Sequence, residues 1–492
     1  MNNLKQQGVT AFIWDFTGKL ATQGMGFIIS IFLARLLEPA DFGLIAMIMV
    51  ILGIAGIFSD IGLGGALIQR KRVLQIHYSS VFYFNIFTAS ILTMITYIFA
   101  PVIANFYQNQ ELLLLTQVVS ILFILTSINS VHIVQFRKTL NFKRLTQILF
   151  ISSLLGGIIG VILAFKGFGV WSLVTQQFSS SVINTILIWK FSKWRPTLQF
   201  SFKALFQLWG YGFRMFLSAL LDSIFTRLDF IIIGKLFSPI TLGFFQRAKS
   251  LNLLIINYTS GSLMSVLFPI LSKVKNDLPR FQNIITKGLG IICFITFFLL
   301  GLLFLISEEL IVILFTEKWL PSVELFKILV LSGFSYPISA LLVNVLSSRG
   351  NSKKFLRLEI YKKIALAINL YVGFLWGIEG YLYGLIITSS ISIYLNIWFA
   401  SKEIKIKKRE FIYPIGLQVI IGFVSTVLVW FVNINIEYTN GIMLLLKSIE
   451  FTFLYIVINY FFKIKSYQYF MEEFKPIFEK ISRGRENNEN RI

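Results

Sequence analysis

The sequence predicts an all-α integral membrane protein with about 14 transmembrane helices, set out as two six-helix lobes plus two C-terminal helices. Three observations carry that expectation. Of the 492 residues, 56% are hydrophobic and only 14% charged, a balance that a soluble globular chain does not have. Apolar stretches of roughly 20 residues, each long enough to cross a bilayer as a helix, recur along almost the whole length. Lys and Arg collect in every second connection and nearly vanish from the others. About 34 of the 45 basic residues fall on one side and about 4 on the other.

In chain order the expected spans are roughly 8–34, 41–67, 78–104, 111–133, 145–165, 168–189 and 204–234, then 240–271, 284–306, 321–347, 356–376, 379–400, 411–433 and 441–462. The first is long, carries Asp15 and Lys19 and has no small-residue cleavage site, so it is not expected to be a cleaved signal peptide. Basic connections follow at Arg70-Lys71-Arg72, at Arg137 to Arg144, at Lys190 to Lys203 and at Lys273 to Lys287, then at 349–363, 402–409 and from Lys463. The alternate connections hold only Arg35, Lys166, Lys235 and Lys318. This asymmetry places the basic side, and both ends of the chain, in the cytoplasm.

Net charge is +22, which in a soluble protein would suggest nucleic acid. Here the charge reads as a cytoplasmic girdle facing anionic headgroups, and no nucleic-acid partner is expected. The longest outward loop, 307–320, contains the apolar run Leu310 to Phe315, which reads as a re-entrant or interfacial segment. The single cysteine, Cys293, permits no intrachain disulfide, and two histidines, His77 and His132, cannot assemble a His/Cys metal cluster. No cofactor or metal is expected.

An internal repeat divides the chain. Arg35-Leu36-Leu37-Glu38-Pro39-Ala40-Asp41-Phe42-Gly43 aligns with Lys235-Leu236-Phe237-Ser238-Pro239-Ile240-Thr241-Leu242-Gly243, matching basic residue, Leu, Pro and Gly at a spacing of 200 residues. Both copies fall at the outward turn between the first and second span of a six-helix set. Six is even, so the sets enter the membrane from the same side, related by a pseudo-two-fold along the membrane normal. The expected domains are a lobe at 1–195, a second at 196–402, two additional helices at 403–465 and a cytoplasmic tail at 466–492.

Further segments extend the pattern: Phe58-Ser59-Asp60-Ile61-Gly62-Leu63-Gly64 leading to Ile68-Gln69-Arg70, and Gln135-Phe136-Arg137 through Asn141-Phe142-Lys143. Gly167-Phe168-Gly169-Val170-Trp171-Ser172-Leu173 follows, then Arg227-Leu228-Asp229, Leu242 to Ala248, and Phe268-Pro269-Ile270-Leu271-Ser272. In this order the chain resembles the polysaccharide-transporter branch of the multidrug/oligosaccharidyl-lipid/polysaccharide exporter superfamily, close to the colanic-acid and teichuronic-acid exporter type. Residues beyond about 400 add only helix count. The resemblance implies two lobes forming a V around a central cavity. It also implies passage of an undecaprenyl-pyrophosphate-linked oligosaccharide across a bacterial cytoplasmic membrane, for surface polysaccharide synthesis. A polysaccharide polymerase and a chain-length regulator are the candidate protein partners.

Such a substrate needs a cavity lined by cationic and hydrogen-bonding groups, and each ionisable side chain at membrane depth asks for a reason. On the first span Asp15, Lys19, Thr22, Gln23, Gly26 and Ser30 follow three- and four-residue steps along one face. Cavity lining and a self-satisfied Asp15–Lys19 pair both fit. On the seventh, Arg214, Ser218 and Asp222 precede Arg227 and Asp229. Lys19, Gln23, Arg214 and Arg247 are the substrate-binding candidates, Arg247 because a guanidinium binds phosphate bidentately. Asp222 and Asp15 are the ion-coupling candidates, with static pairing of Asp222 to Arg214 or Lys19 as the plain alternative. Asp60, beside Gly62, Gly64 and Gly65, reads as a hinge or packing residue, with ion binding as the alternative. Glu324 with Lys327, and Lys447 with Glu450, read as structural pairs. Tyr78, Tyr211 and Tyr258 have ring faces to stack on sugars, but nothing singles them out.

Two other functions meet the same topology. An ion-coupled small-molecule antiporter of the same superfamily would favour a net acidic cavity. A membrane polymerase or ligase is expected to carry catalytic residues in a long outward loop, and no such loop, Ser/His/Asp set or Gly-rich phosphate loop is present. The chain is therefore expected not to be an enzyme.

Overall fold

A backbone crossing hydrocarbon has to satisfy its own N–H and C=O groups, and this chain does so with helices. The computed structural model describes the backbone of residues 2–274, 276–436 and 438–473, and their side chains except at 2–13, 15, 59, 255–270, 272 and 352. Eighteen α-helices, and no strand, occur among the described residues. Ten stretches are long and apolar enough to cross a membrane, so the all-α, multi-pass reading holds. One of the ten, Lys353–Ile404, is 52 residues long and folds back on itself as two packed helices, turning at Gly377 with φ +78°.

The chain divides into two units, Met1–Gln246 and Arg247–Ile492. The first contains α1 (Asn2–Leu36), α2 (Pro39–Ala55), α3 (Leu63–Gln69), α4 (Gln75–Tyr107), α5 (Glu111–Ser120), α6 (Leu122–Lys138), α7 (Phe142–Phe165), α8 (Val170–Phe191) and α9 (Phe202–Leu236). The next helix, α10 (Pro239–Lys273), begins here and runs on into the second unit. α1 lies along α7, where Gly157 takes the Ile29 side chain and Thr146 Oγ1 donates to the Trp14 carbonyl at 3.3 Å. α9 packs on α2, α3 and α4.

The repeated turns explain their own sequence. After Leu36 the first turn is closed by the Glu38 N–H donating to Asp41 at 3.0 Å; after Leu236 the second is closed by the Thr241 N–H donating to Ser238 Oγ at 3.2 Å. Pro39 and Pro239 open the following helices, where a missing N–H costs nothing. Gly43 packs against the Pro239 carbonyl and Gly243 against the Pro39 carbonyl, so the two copies touch reciprocally. A side chain on either glycine would collide with that oxygen.

The second unit holds α11 (Leu278–Leu305), α12 (Ser307–Phe315), α13 (Pro321–Ser332), α14 (Ser335–Ser348), α15 (Ser352–Gly373), α16 (Gly377–Ile404), α17 (Lys408–Asn433) and α18 (Asn440–Phe461). Its core joins Phe281, Leu289 and Cys293 of α11 to Ile338 and Leu342 of α14, Ile397 of α16 and Phe411 of α17. α17 and α18 are locked to α11 by buried polar groups: Tyr455 Oη donates to the Phe294 carbonyl at 2.9 Å, and Gln418 Nε2 donates to Asn459 Oδ1 at 2.7 Å. The apolar run in loop 307–320 is the short helix α12. Glu324 and Lys327 pair at 3.0 Å, as their spacing suggests. Lys447 does not pair with Glu450. It forms an ion pair with the buried Glu309 of α12, while Glu450 accepts from Asn433 Nδ2 at 2.6 Å.

Replacing Gly43 by Val should cost about 1–3 kcal/mol by overpacking, seen as a lower midpoint of thermal unfolding in detergent. Gly26→Ala, where a Cβ meets nothing within 4 Å, should leave the midpoint in place. Lys447→Met strands the buried Glu309 carboxylate and should lose about 3–5 kcal/mol. The double variant with Glu309→Gln should recover most of that loss, and no recovery would mean the pair is not the reason for it.

Candidate functional site

α1 presents two different faces. One carries Gly18, Ile29 and Leu33, buried against neighbours. Along the other, Lys19 and Gln23 are exposed and Thr22, Gly26 and Ser30 half-buried, with the Ser30 hydroxyl donating to the Phe27 carbonyl at 2.8 Å. Lys19 and Gln23 are thus the open part of the polar stripe, and the rest of it is partly covered by protein. The Asp15 side chain lies outside the described residues.

α9 repeats this division. Gly212 and Phe216 are buried, the latter edge-on to Phe58 with ring centres 5.0 Å apart. Arg214, Ser218 and Asp222, at four-residue steps, are exposed on one face. Asp222 lies fourteen residues, about 21 Å of helix, before Leu236, well inside a membrane thickness. Further along, Arg227 bends back onto α2: its Nη1 donates to the Met49 carbonyl at 3.3 Å and its Nε to Ser223 Oγ at 3.2 Å, with the guanidinium filling the space beside Gly53. Asp229 is buried, and its Oδ1 accepts from the Phe230 N–H at 2.9 Å. Arg227 ties α9 to α2, whereas Arg214 and Asp222 are exposed.

Arg247 is placed differently from the other candidates. It is 5% exposed and lies over the rings of Phe315 and Trp319, 4.8 and 5.2 Å from their centres. Its charge is thus held by aromatic faces at the end of α12. Lys19, Gln23, Arg214 and Asp222 share exposed positions in the first unit; Arg247 belongs to a covered site in the second. Among the tyrosines, Tyr78 is buried against Trp194, Tyr211 is half-buried, and the Tyr258 side chain lies outside the described residues.

The second expected span is interrupted. After α2 the chain passes through a short 3-10 turn, Gly56–Ser59, and a reversal with φ +43° at Ile61 and +69° at Gly62 before α3 starts. Gly62 is required there, both by its left-handed φ and by the Gly212 carbonyl packed against it. At this break the Asp60 carboxylate accepts the Gly64 N–H at 3.1 and 3.3 Å.

Two features were not foreseen from the sequence. Asn85 on α4 donates to Asp60 Oδ1 at 3.2 Å and to Ser130 Oγ of α6 at 3.0 Å. An amide in an otherwise apolar stretch was the available signal. The second unit also holds a cavity of about 820 Å³, lined by Phe297, Phe304, Phe334 and Trp430 together with Glu308, Lys327 and Lys447. Its walls are mostly apolar.

A family profile described as "Polysaccharide biosynthesis protein" matches residues 32–324. The chain is 30% identical over 285 residues to the teichuronic acid biosynthesis protein TuaB of Bacillus subtilis (strain 168), covering 57% of this chain and 58% of that protein. It is 25% identical over 308 residues to the succinoglycan biosynthesis transport protein ExoT of Rhizobium meliloti (strain 1021), covering 62% of each. Among solved structures, the lipid II flippase MurJ in an inward closed conformation superposes with a TM-score of 0.69, covering 91% of this chain and 99% of that one. The identity is 15%, so this likeness concerns the fold. Since the profile spans more than half of the chain, and the relatives agree with it, the chain belongs to the family described as polysaccharide biosynthesis proteins.

Proposed function

We propose that this protein is a flippase that moves an undecaprenyl-pyrophosphate-linked oligosaccharide repeat unit across the bacterial cytoplasmic membrane by alternating access, for surface polysaccharide synthesis. One observation carries the reading: Lys19, Gln23, Arg214 and Asp222 lie exposed on helices of a membrane protein. Hydrocarbon is a costly neighbour for such groups, so their faces line a polar path. The cations Lys19 and Arg214 engage the pyrophosphate or acidic sugars and Gln23 hydrogen-bonds the sugar, with Arg247 a further substrate-binding candidate. Asp222, with Asp15, takes the coupling ion. The polyprenyl tail stays in lipid.

The proposal includes about 14 crossings, both chain ends in the cytoplasm, six-helix lobes at 1–195 and 196–402, two further helices at 403–465 and a tail from 466. Family membership supports it, as do the names of relatives that carry surface polysaccharides in their titles. A polymerase and a chain-length regulator are the proposed partners.

The test uses purified protein in proteoliposomes holding a fluorescent undecaprenyl-pyrophosphate oligosaccharide, with an impermeant quencher reporting exposure of the label. Translocation should depend on the protein and on an imposed proton or sodium gradient. Lys19→Ala and Arg214→Ala should each slow it on the order of tenfold or more, the loss of one charge-assisted contact. Asp222→Asn should abolish the response to the gradient while leaving a residual rate. If folded protein moves none of several headgroups under either gradient, the ion-coupled small-molecule antiporter becomes the better reading.

A further inference from the structure

The expected lobes meet in the connection between α8 and α9, residues 192–201, where a free tether would serve. The chain does not build one. The segment contains no glycine, and Pro196 fixes its own backbone. Trp194 is 9% exposed: its ring lies 5.7 Å from that of Phe82 and 4.9 Å from that of His132, and its Nε1 donates to Gln75 Oε1 at 2.8 Å. Gln75 Nε2 in turn donates to the Arg195 carbonyl at 2.7 Å. The Thr197 N–H donates to Ser79 Oγ at 3.0 Å and the Ser201 N–H to Ser80 Oγ at 2.9 Å, and both serines are fully buried. Gln75, Ser79 and Ser80 lie in the first two turns of α4. Beyond the connection α9 stays attached. Leu205 and Leu208 share a core with Leu63, Leu67 and Val81, and at the far end Lys235 Nζ donates to the Phe106 carbonyl at 2.5 Å. By the repeated turn α9 is the counterpart of α1 and opens the second expected lobe, yet all of these partners precede it in the first.

We propose that residues 192–201 form a clasp that stays shut through the working cycle, so that α9 moves as one body with α2–α8. Hydrogen bonds near a surface exchange with water at little net loss, and alone they would make a latch that opens readily. Trp194 makes the difference. Its ring is packed among aromatic neighbours and its N–H is satisfied, so release would expose the one and strand the other. Leu198, between the two serine tethers, is 97% exposed and adds nothing to the hold. The consequence for transport rests on the flippase reading. Arg214 and Asp222 ride on α9, and Lys19 and Gln23 ride on α1, which is packed on α7 of the same body. These groups then keep their mutual spacing during translocation instead of closing on the cargo from two sides.

Amide hydrogen exchange reads the clasp without any cargo. In full-length protein in proteoliposomes, peptides covering 194–201 should exchange as slowly as those from the start of α4, with or without a proton or sodium gradient. Exchange at the rate of an open loop, in either condition, would overturn the proposal. Trp194→Ala should speed exchange at 197–201 on the order of tenfold or more, and the milder Ser79→Ala, which serves if the first variant does not fold, several-fold. Leu198→Ala should change nothing. A disulfide then holds the clasp shut: Ser79→Cys with Thr197→Cys replaces two hydroxyl oxygens 3.0 Å apart, and the native Cys293 is buried. In the quencher assay the oxidised pair should translocate at the rate of its reduced form. A rate lost on oxidation and restored by reductant would mean that the clasp has to open, against the proposal. If the unaltered protein translocates nothing, the flippase reading fails, and the exchange rates still decide whether the clasp is shut.

Discussion

Everything in this molecule follows from the demand that a backbone in hydrocarbon satisfy its own hydrogen bonds. Long helices meet that demand at no cost in side chains, which is why the described chain is helix after helix. Each interruption has to be covered by something else. At the break between α2 and α3 the cover is Asp60, whose carboxylate takes the Gly64 N–H. Glycine at position 62 then lets the chain adopt φ +69° against the backbone of α9. An acid placed in the membrane for this structural purpose is also a charge, and that charge draws Asn85 and Ser130 around it. The polar cluster is thus a consequence of the break.

The same constraint sorts the remaining charges into two kinds. Glu309 and Arg247 are buried and have been given local company: Glu309 the ammonium of Lys447, Arg247 the faces of Phe315 and Trp319. Both hold α12 in place, one at each end, from α18 and α10. Lys19, Arg214 and Asp222 are the other kind, exposed on helices long enough to traverse the membrane. Packing accounts for the first kind. The second kind is open to whatever lies beside the helices, and a polar surrounding there is what the proposed transport path would supply.

Much of the fold was legible in the sequence because its signals are local or periodic. Helix length, turn chemistry and the spacing of Pro39 and Gly43 with Pro239 and Gly243 are written along the chain, and the reciprocal contact of those glycines agrees with the repeat. Lys447 was misread for the same reason. A three-residue step to Glu450 is the obvious local pairing, yet the partner is Glu309, 138 residues away in sequence, brought near because α12 lies against α18. Asn85 was overlooked since one amide in an apolar run has no meaning until the neighbouring helices are known.

The sequence by itself determined the all-helical membrane architecture, the repeated turn motif and the candidate charges, because hydrophobic length and turn residues act within a few positions of the chain. Tertiary structure alone decided which of those charges are covered and which are left open. It set Arg247 among aromatic rings, Arg227 against α2, and Lys19 and Asp222 on open faces. The physical reason is that burial and pairing belong to helices that meet across the membrane, and the face each helix turns to its neighbour depends on every other helix packed with it.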